Sequence, residues 1–235
     1  MPPIHVVVSG MSYQGRGITK EYARGRVCIM SASQHLRKTD PIMAKLIRHC
    51  GPCDIQPRRL SPFQSLTQSI IYQQLNGKAA GTILKRFRAL YRGSRFPQPV
   101  EVAKTSFETL RDAGLSRGKA SYIQGLAQYA IDGKLPSLKQ CDKMTDAELI
   151  KNLTTIKGVG RWTAEMLLIF NLGRPDVLPV HDFGVRRGYQ IAYRKRQMPT
   201  PEALDRYGVK WAPHRSTAAW YLWRAADILK AGEEW

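Results

Sequence analysis

Acidic side chains are in short supply in this chain: 18 Asp and Glu stand against 37 Lys and Arg, leaving a formal charge of +19. Such a surplus favours a polyanionic partner through counterion release, and nucleic acid leads the candidates. Long apolar runs are missing too. No uninterrupted stretch of about 18 apolar residues occurs, so a membrane-spanning helix is not expected, and a membrane surface lacks an anchor to hold. No period-2 pattern is long enough to build a sheet; strand signals are confined to Val6–Val8 and a few short apolar pieces. Neither a phosphate-binding P-loop nor a zinc-deaminase signature is present.

Cysteine is rare as well. Four residues, at positions 28, 50, 53 and 141, are too few and too irregular for a disulfide framework and read as reduced, structural thiols. Cys50-Gly-Pro-Cys53 has the spacing of a redox motif, but that chemistry needs the first Cys at a helix N-terminus after a strand, and no βαβ pattern surrounds it. His49 and these cysteines would supply three zinc ligands, yet no fourth follows at finger spacing. Residues 1–38 carry a short apolar run, Ile4-His-Val-Val-Val8, and then Gly, Ser and Arg without helical period. They are left unassigned as an extension, without the apolar core and cleavage site of a secretory leader, and an intracellular location is expected.

What is present is helix. With 43% hydrophobic side chains, 235 residues suffice for one large domain or two small lobes. Ser61-Pro-Phe-Gln64 supplies an N-cap, a first-turn proline and a capping-box glutamine, predicting a helix to about Leu75, which Asn76-Gly77 breaks. Helical patterns follow over Lys78 to Tyr91, after the Thr105-Ser-Phe-Glu108 cap, from Ser116, and over Pro201 to Tyr207 and Thr217 to Lys230. The chain reads as all-α.

One stretch is more specific than the rest. Thr145-Asp-Ala-Glu148 has capping-box form, and Leu149, Ile150, Leu153 and Ile156 recur at helical spacing, so a helix runs into Lys157-Gly158-Val-Gly160. Missing Cβ atoms at Gly158 and Gly160 allow a tight hairpin whose N–H groups approach a phosphate. A second helix, Arg161 to Asn171, buries Ala164, Leu167 and Leu168, adds its positive dipole end beneath the anion, and stops at Gly173 and Pro175. The unit is helix, hairpin, helix, and Pro179-Val-His-Asp182 follows it with a carboxylate.

Together with Ile70-Ile-Tyr-Gln-Gln-Leu75-Asn-Gly-Lys-Ala-Ala80 and Trp211-Ala-Pro-His-Arg-Ser-Thr-Ala-Ala-Trp-Tyr-Leu-Trp223, this unit resembles the helix-hairpin-helix base-excision DNA glycosylases, most closely the 3-methyladenine DNA glycosylase II branch. The resemblance covers about Asp40 to Ala231. It implies two helical lobes within residues 39–235, with DNA crossing the cleft between them, and the compact catalytic core without the extra sheet domain of a larger member. A base inside a duplex must be rotated out and its gap filled. By resemblance Leu75 is the wedge, although on the residues alone it is a helix-end leucine packing on the core.

Asp182 is the catalytic candidate: a carboxylate beside C1′ stabilises an oxocarbenium-like transition state, or orients the attacking water. It also precedes a helix-like stretch, Phe183 to Tyr193, and so suits an N-cap. His181 departs from the family, in which a carboxylate or small residue is common next to the Asp. Family members that also cleave the backbone place a Lys where Trp162 stands; Trp cannot form their Schiff base, so water is the expected nucleophile and an abasic site the product. Alkylated purines are cationic, and Trp162, Phe183, Tyr72 and members of the group Trp220, Tyr221 and Trp223 are ring candidates for a base pocket. Any one of them alone reads as a packed core aromatic.

Gly158, Gly160 and Arg161 would contact the DNA backbone, and Arg186, Arg187, Arg194, Lys195 and Arg196 would add sequence-independent affinity. By resemblance, carbonyls of Thr154, Ile156 and Val159 hold a monovalent Na+ or K+. No cofactor is required, and the four closely spaced C-terminal cysteines of iron–sulfur relatives are missing. The expected object is a monomeric, monofunctional glycosylase for alkylated purines of the 3-methyladenine and 7-methylguanine type, acting on damaged double-stranded DNA in bacterial cytosol or a nucleus. Two other readings stay open: a catalytically silent DNA-binding module, and a glycosylase for deaminated or oxidised bases.

Overall fold

A computed structural model describes residues 32–75, 77–93 and 95–230. The apolar run at 4–8, Cys28 and Asn76 lie outside the described residues. Those described contain helices and no strand. They cluster into two compact units, residues 58–172 and residues 32–57 with 173–230.

The first unit comprises α3 (Pro62–Tyr72), α4 (Gly77–Ala89), α5 (Pro99–Lys104), α6 (Phe107–Asp112), α7 (Arg117–Ile131), α8 (Leu138–Lys143), α9 (Asp146–Leu153) and α10 (Arg161–Met166). Short polar caps start most of them. Ser61, Ser106, Ser116, Ser137 and Thr145 each accept a hydrogen bond from the backbone N–H three residues on, a device that stabilises a helix by about 1 kcal/mol. In the Thr105–Glu108 stretch the cap is therefore Ser106 rather than Thr105. Helix α7 packs on α3, α5 and α6, and its Ile123 and Leu126 are buried with Leu66, Ile70 and Leu110.

Two boundaries differ from the sequence reading. Helix α3 ends at Tyr72 rather than near Leu75, because Gln74 takes a left-handed backbone (φ 56°) that no α-helix can absorb. The expected helix from Arg161 to Asn171 is α-helical only to Met166 and continues as a π-helical segment, Leu167–Leu172. Asn171 at its end accepts from the Leu60 N–H (2.9 Å) and donates to the Leu60 carbonyl (3.0 Å), tying the strand-like stretch before α3 to this segment.

The second unit holds α1 (32–39), α2 (Pro41–Cys50), α11 (Phe183–Ala192), α12 (Pro201–Gly208) and α13 (Arg215–Lys230). The boundary drawn at residue 38 falls inside α1, whose Ala32 and Leu36 are buried: an apolar side chain per turn is too sparse a signal to find next to a Gly-, Ser- and Arg-rich stretch. Helices α11 and α13 form the main packing pair. They approach so closely that a Cβ on Gly188 would overlap the Leu222 carbonyl. Asp40, fully buried, caps α2 through Oδ1 and accepts from Tyr193 Oη (2.5 Å), Trp211 Nε1 (2.9 Å) and Lys210 Nζ (3.2 Å) through Oδ2. Burial alone would raise its pKa, but these donors outweigh it and hold the carboxyl below its ordinary range.

Candidate active site

In the first unit α9 runs into the hairpin and Thr154 ends it in helical conformation. Ile156 and Val159 point into the core and the Val159 N–H donates to the Ile156 carbonyl (2.9 Å), while Lys157, Gly160 and Arg161 are exposed. Gly158 sits at φ 88°, and a Cβ there would fall on the ring of Tyr122 from α7. Glycine is needed twice over, for the left-handed backbone and for the aromatic floor beneath it. Gly160 then opens α10 with no side-chain cap, so the exposed first-turn N–H groups are turned toward whatever approaches the hairpin.

The loop after α3 is fastened to this hairpin. Gln73 Nε2 donates to the Gly158 carbonyl and to Thr163 Oγ1, each at 3.0 Å. From α7, Lys119 Nζ donates to the carbonyls of Ile71 (2.8 Å) and Gln73 (2.7 Å), closing the C-terminal end of α3. Partial burial brings the Lys119 pKa down to about 8. Beyond Gln73 the exposed residue is Gln74, held in its left-handed turn, whereas Leu75 is half-buried.

In the second unit a turn closed by the Asp182 N–H on the Pro179 carbonyl (2.9 Å) delivers Asp182 to the start of α11. Its Oδ1 accepts from the Val185 N–H (2.7 Å) and from the Trp223 indole N–H (2.8 Å), and the residue is 2% exposed. The two readings of Asp182 are thus compatible: it caps α11 and presents a carboxylate aligned with the helix dipole. Gly184 makes room, since a Cβ there would stand 2.8 Å from Trp223 Cδ1 and 3.1 Å from Asp182 Oδ1. His181, next to it, is exposed.

Burial corrects part of the aromatic list. Trp223, 4% exposed, has its N–H committed to Asp182 and so positions the carboxylate instead of offering a face to a base. Tyr221 is fully buried and donates to the Gly51 carbonyl (3.0 Å), a core role. Trp220 and Phe183 in this unit, and Trp162 and Tyr72 in the first, are half-buried and keep part of a ring accessible. Among the basic residues, Arg161 pairs with buried Glu165 (2.9 Å), Arg186 donates to the Pro199 carbonyl (2.8 Å) and Arg187 to Gln190 (2.6 Å), while Arg194, Lys195 and Arg196 are exposed.

Burial pushes the Cys53 thiol up to about 12, and Cys50 ends α2 instead of starting a helix, so neither has the low-pKa setting of a redox cysteine. No group of three or more His, Cys, Asp or Glu able to hold a metal occurs among the described residues. The carbonyls of Thr154, Ile156 and Val159 are a neutral oxygen set on one tight turn. That chemistry fits Na+ or K+, and the Ile156 oxygen keeps a second lone pair beside its hydrogen bond.

Sequence reading gave no role to Gln73, Lys119, Tyr122 or Gly184, all of which act through contacts distant in sequence or through an absent atom. A helix, a glycine hairpin and a second helix in the first unit, with a buried, N–H-anchored carboxylate in the second, make this a helix-hairpin-helix protein. A family model described as HhH-GPD superfamily base excision DNA repair protein matches residues 67–214. The DNA-3-methyladenine glycosylase 1 of Schizosaccharomyces pombe is 35% identical over 204 residues, covering 85% of this chain and 89% of its own. A solved structure of an S. pombe 3-methyladenine DNA glycosylase in complex with abasic DNA superposes with a TM-score of 0.77 at 36% identity, over 83% of this chain and 95% of that one. A Bacillus halodurans DNA-3-methyladenine glycosidase structure gives 0.74 at 35% identity, over 86% and 92%. The chain belongs to the HhH-GPD superfamily of base excision DNA repair proteins.

Proposed function

We propose that this protein is a DNA glycosylase that hydrolyses the N-glycosidic bond of alkylated purines, 3-methyladenine and 7-methylguanine among them, in double-stranded DNA. The observation that carries the reading is the Asp182 carboxylate: buried, and fixed by the Val185 and Trp223 N–H groups before any substrate arrives. A preorganised anion costs no reorganisation when positive charge develops on the deoxyribose. An alkylated purine is already a good leaving group, so the transition state needs this stabilisation more than it needs a general acid. The relatives named 3-methyladenine glycosylases support the substrate class.

Water is the nucleophile and an abasic site the product. Trp162 has no amine for a Schiff base, and Lys157, the nearest one, is exposed on the hairpin. The N–H groups of the exposed Gly160 and Arg161 take a phosphate, with Na+ or K+ held by Thr154, Ile156 and Val159 supplying positive charge there when bound, and no other cofactor takes part. One chain carries one site and works as a monomer, in bacterial cytosol or a nucleus. No helix among the described residues is long and apolar enough to cross a membrane.

Base release from methylated duplex DNA, measured for the purified protein beside Asp182→Asn, tests this. The expected result is a loss of at least about 100-fold in the variant at undiminished DNA affinity, with strand breaks only after alkali. Tight DNA binding with no release by the wild type would instead establish a silent binding module, or a different lesion.

A further inference from the structure

We propose a second DNA contact on the first unit: a groove along α4 that seats the phosphate backbone of one strand flanking the reacting nucleotide. The proposal rests on the reading of the protein as a DNA enzyme, and names a surface that this reading does not use. The groove has a volume of about 430 Å³ and is lined by Tyr72, Gly81, Leu84, Lys85, Arg88 and Tyr91 among others. Tyr72, which ends α3 and precedes the Gln73–Leu75 loop in sequence, is one of its walls.

The register of α4 builds this face. Ala80 and Phe87 are fully buried, seven residues apart on one side of the helix. Lys78, Lys85 and Arg88, at i, i+7 and i+10, share a face turned away from that buried side, with Arg88 at its flank, and all three are exposed. The stretch from Lys78 to Arg88 rises about 15 Å, long enough to lie along roughly two or three phosphates of one strand. Glu101 reaches the groove electrostatically at Tyr91, but no carboxylate occurs in the sequence between Asp54 and Glu101, so α4 itself carries cations and no acid. That is the charge complement of a nucleic acid backbone, and a linear, open face suits a polymer better than a small anion.

Gly81 belongs to the same face. A mid-helix glycine weakens a helix, yet here the missing side chain keeps the floor between Lys78 and Lys85 open, with the Tyr72 hydroxyl 3.7 Å from where its Cβ would stand. Tyr72 and Tyr91, both half-buried, give the groove an aromatic wall for sugar and base edges, and Lys85 and Arg88, one helical turn apart, give it paired donors for phosphate.

The test is the salt dependence of binding for the double variant Lys85→Gln/Arg88→Gln, by fluorescence anisotropy on a long duplex of about 25 base pairs carrying a central abasic site. Two lost phosphate contacts lower the log–log salt slope by about 1.8, so the advantage of the wild type should shrink about tenfold between 50 and 200 mM salt. Parallel slopes would overturn the proposal. So would the same drop in Lys139→Gln/Lys143→Gln, two exposed cations of α8, since that outcome reports only net charge. Displacement of the long duplex from the wild type by millimolar free deoxynucleotide, absent in the double variant, would assign the groove to a small phosphate and overturn the strand contact. A wild type that releases no base would defeat the proposed activity and leave the slope difference to be judged separately.

Discussion

Gly184 contributes by what it lacks. A methyl group there would press on both Trp223 and Asp182 Oδ1, and neither can yield without moving the carboxylate. Gly184→Ala should therefore lower the rate of base release by roughly 10- to 100-fold with the fold kept, as circular dichroism and single-turnover kinetics would report together, because small misplacements of a catalytic group are costly. Trp223→Phe keeps an aromatic but smaller ring and removes the N–H. A hydrogen bond to a charged group is worth about 1.5–3 kcal/mol, so kcat should fall about 10- to 100-fold while KM for DNA stays put; a rise in KM alone would place Trp223 in substrate binding instead. Asp182 itself was legible in the sequence because it follows the hairpin at the family's spacing. Its anchoring was not: the Trp223 partner lies on α13, and only the register of that helix decides which of three neighbouring aromatics reaches back. Leu75 illustrates the same limit, since a left-handed Gln74 leaves Gln74 and not Leu75 as the exposed tip of its loop. If the tip fills the gap of a flipped base, Gln74→Ala should slow base release more than Leu75→Ala does.

Elements, unlike single side chains, were mostly readable from caps and breakers. Ser61, Ser116 and Thr145 announce α3, α7 and α9, since a hydroxyl before a helical period has few other uses. The π-helical segment after α10 was not readable, because its apolar residues suit α and π geometry alike. At the hairpin, Gly158→Ala combines a disfavoured φ with a collision against Tyr122 and should cost about 2–4 kcal/mol in urea unfolding, only part of it recovered by Tyr122→Ala. Lys119 adds a pH dependence to the same region. Its native pKa, about 8, lies below the roughly 10.4 of an unfolded lysine, so the native state binds fewer protons between those values and the Lys119 contribution to stability rises with pH there. Lys119→Met should flatten that part of the profile between about pH 8 and 10, measured against wild type.

At the scale of the whole molecule, the excess of cations and the lack of sheet patterning led to an all-α DNA-binding protein, and both family and fold agree. What composition could not give is the buried carboxylate that organises the second unit. Asp40 collects a tyrosine, a tryptophan and a lysine from distant parts of the chain while capping α2. Asp40→Ala should destabilise by about 3–5 kcal/mol, because Lys210 and two other donors lose a buried acceptor. Since its native pKa lies below the unfolded value, Asp40 stabilises the fold above about pH 4 and loses that contribution as pH falls through the native value, so acid unfolding of Asp40→Asn should show a shallower slope than wild type. The hydrogen bond from Trp223 to Asp182 has an optical side as well. An indole whose N–H faces an anion emits differently from one facing a neutral amide, so the protein carries its own fluorophore at the Asp182 carboxylate, and the part of the emission change on docking of an abasic duplex that Trp223→Phe removes from the signal of the five tryptophans gives a label-free view of that group.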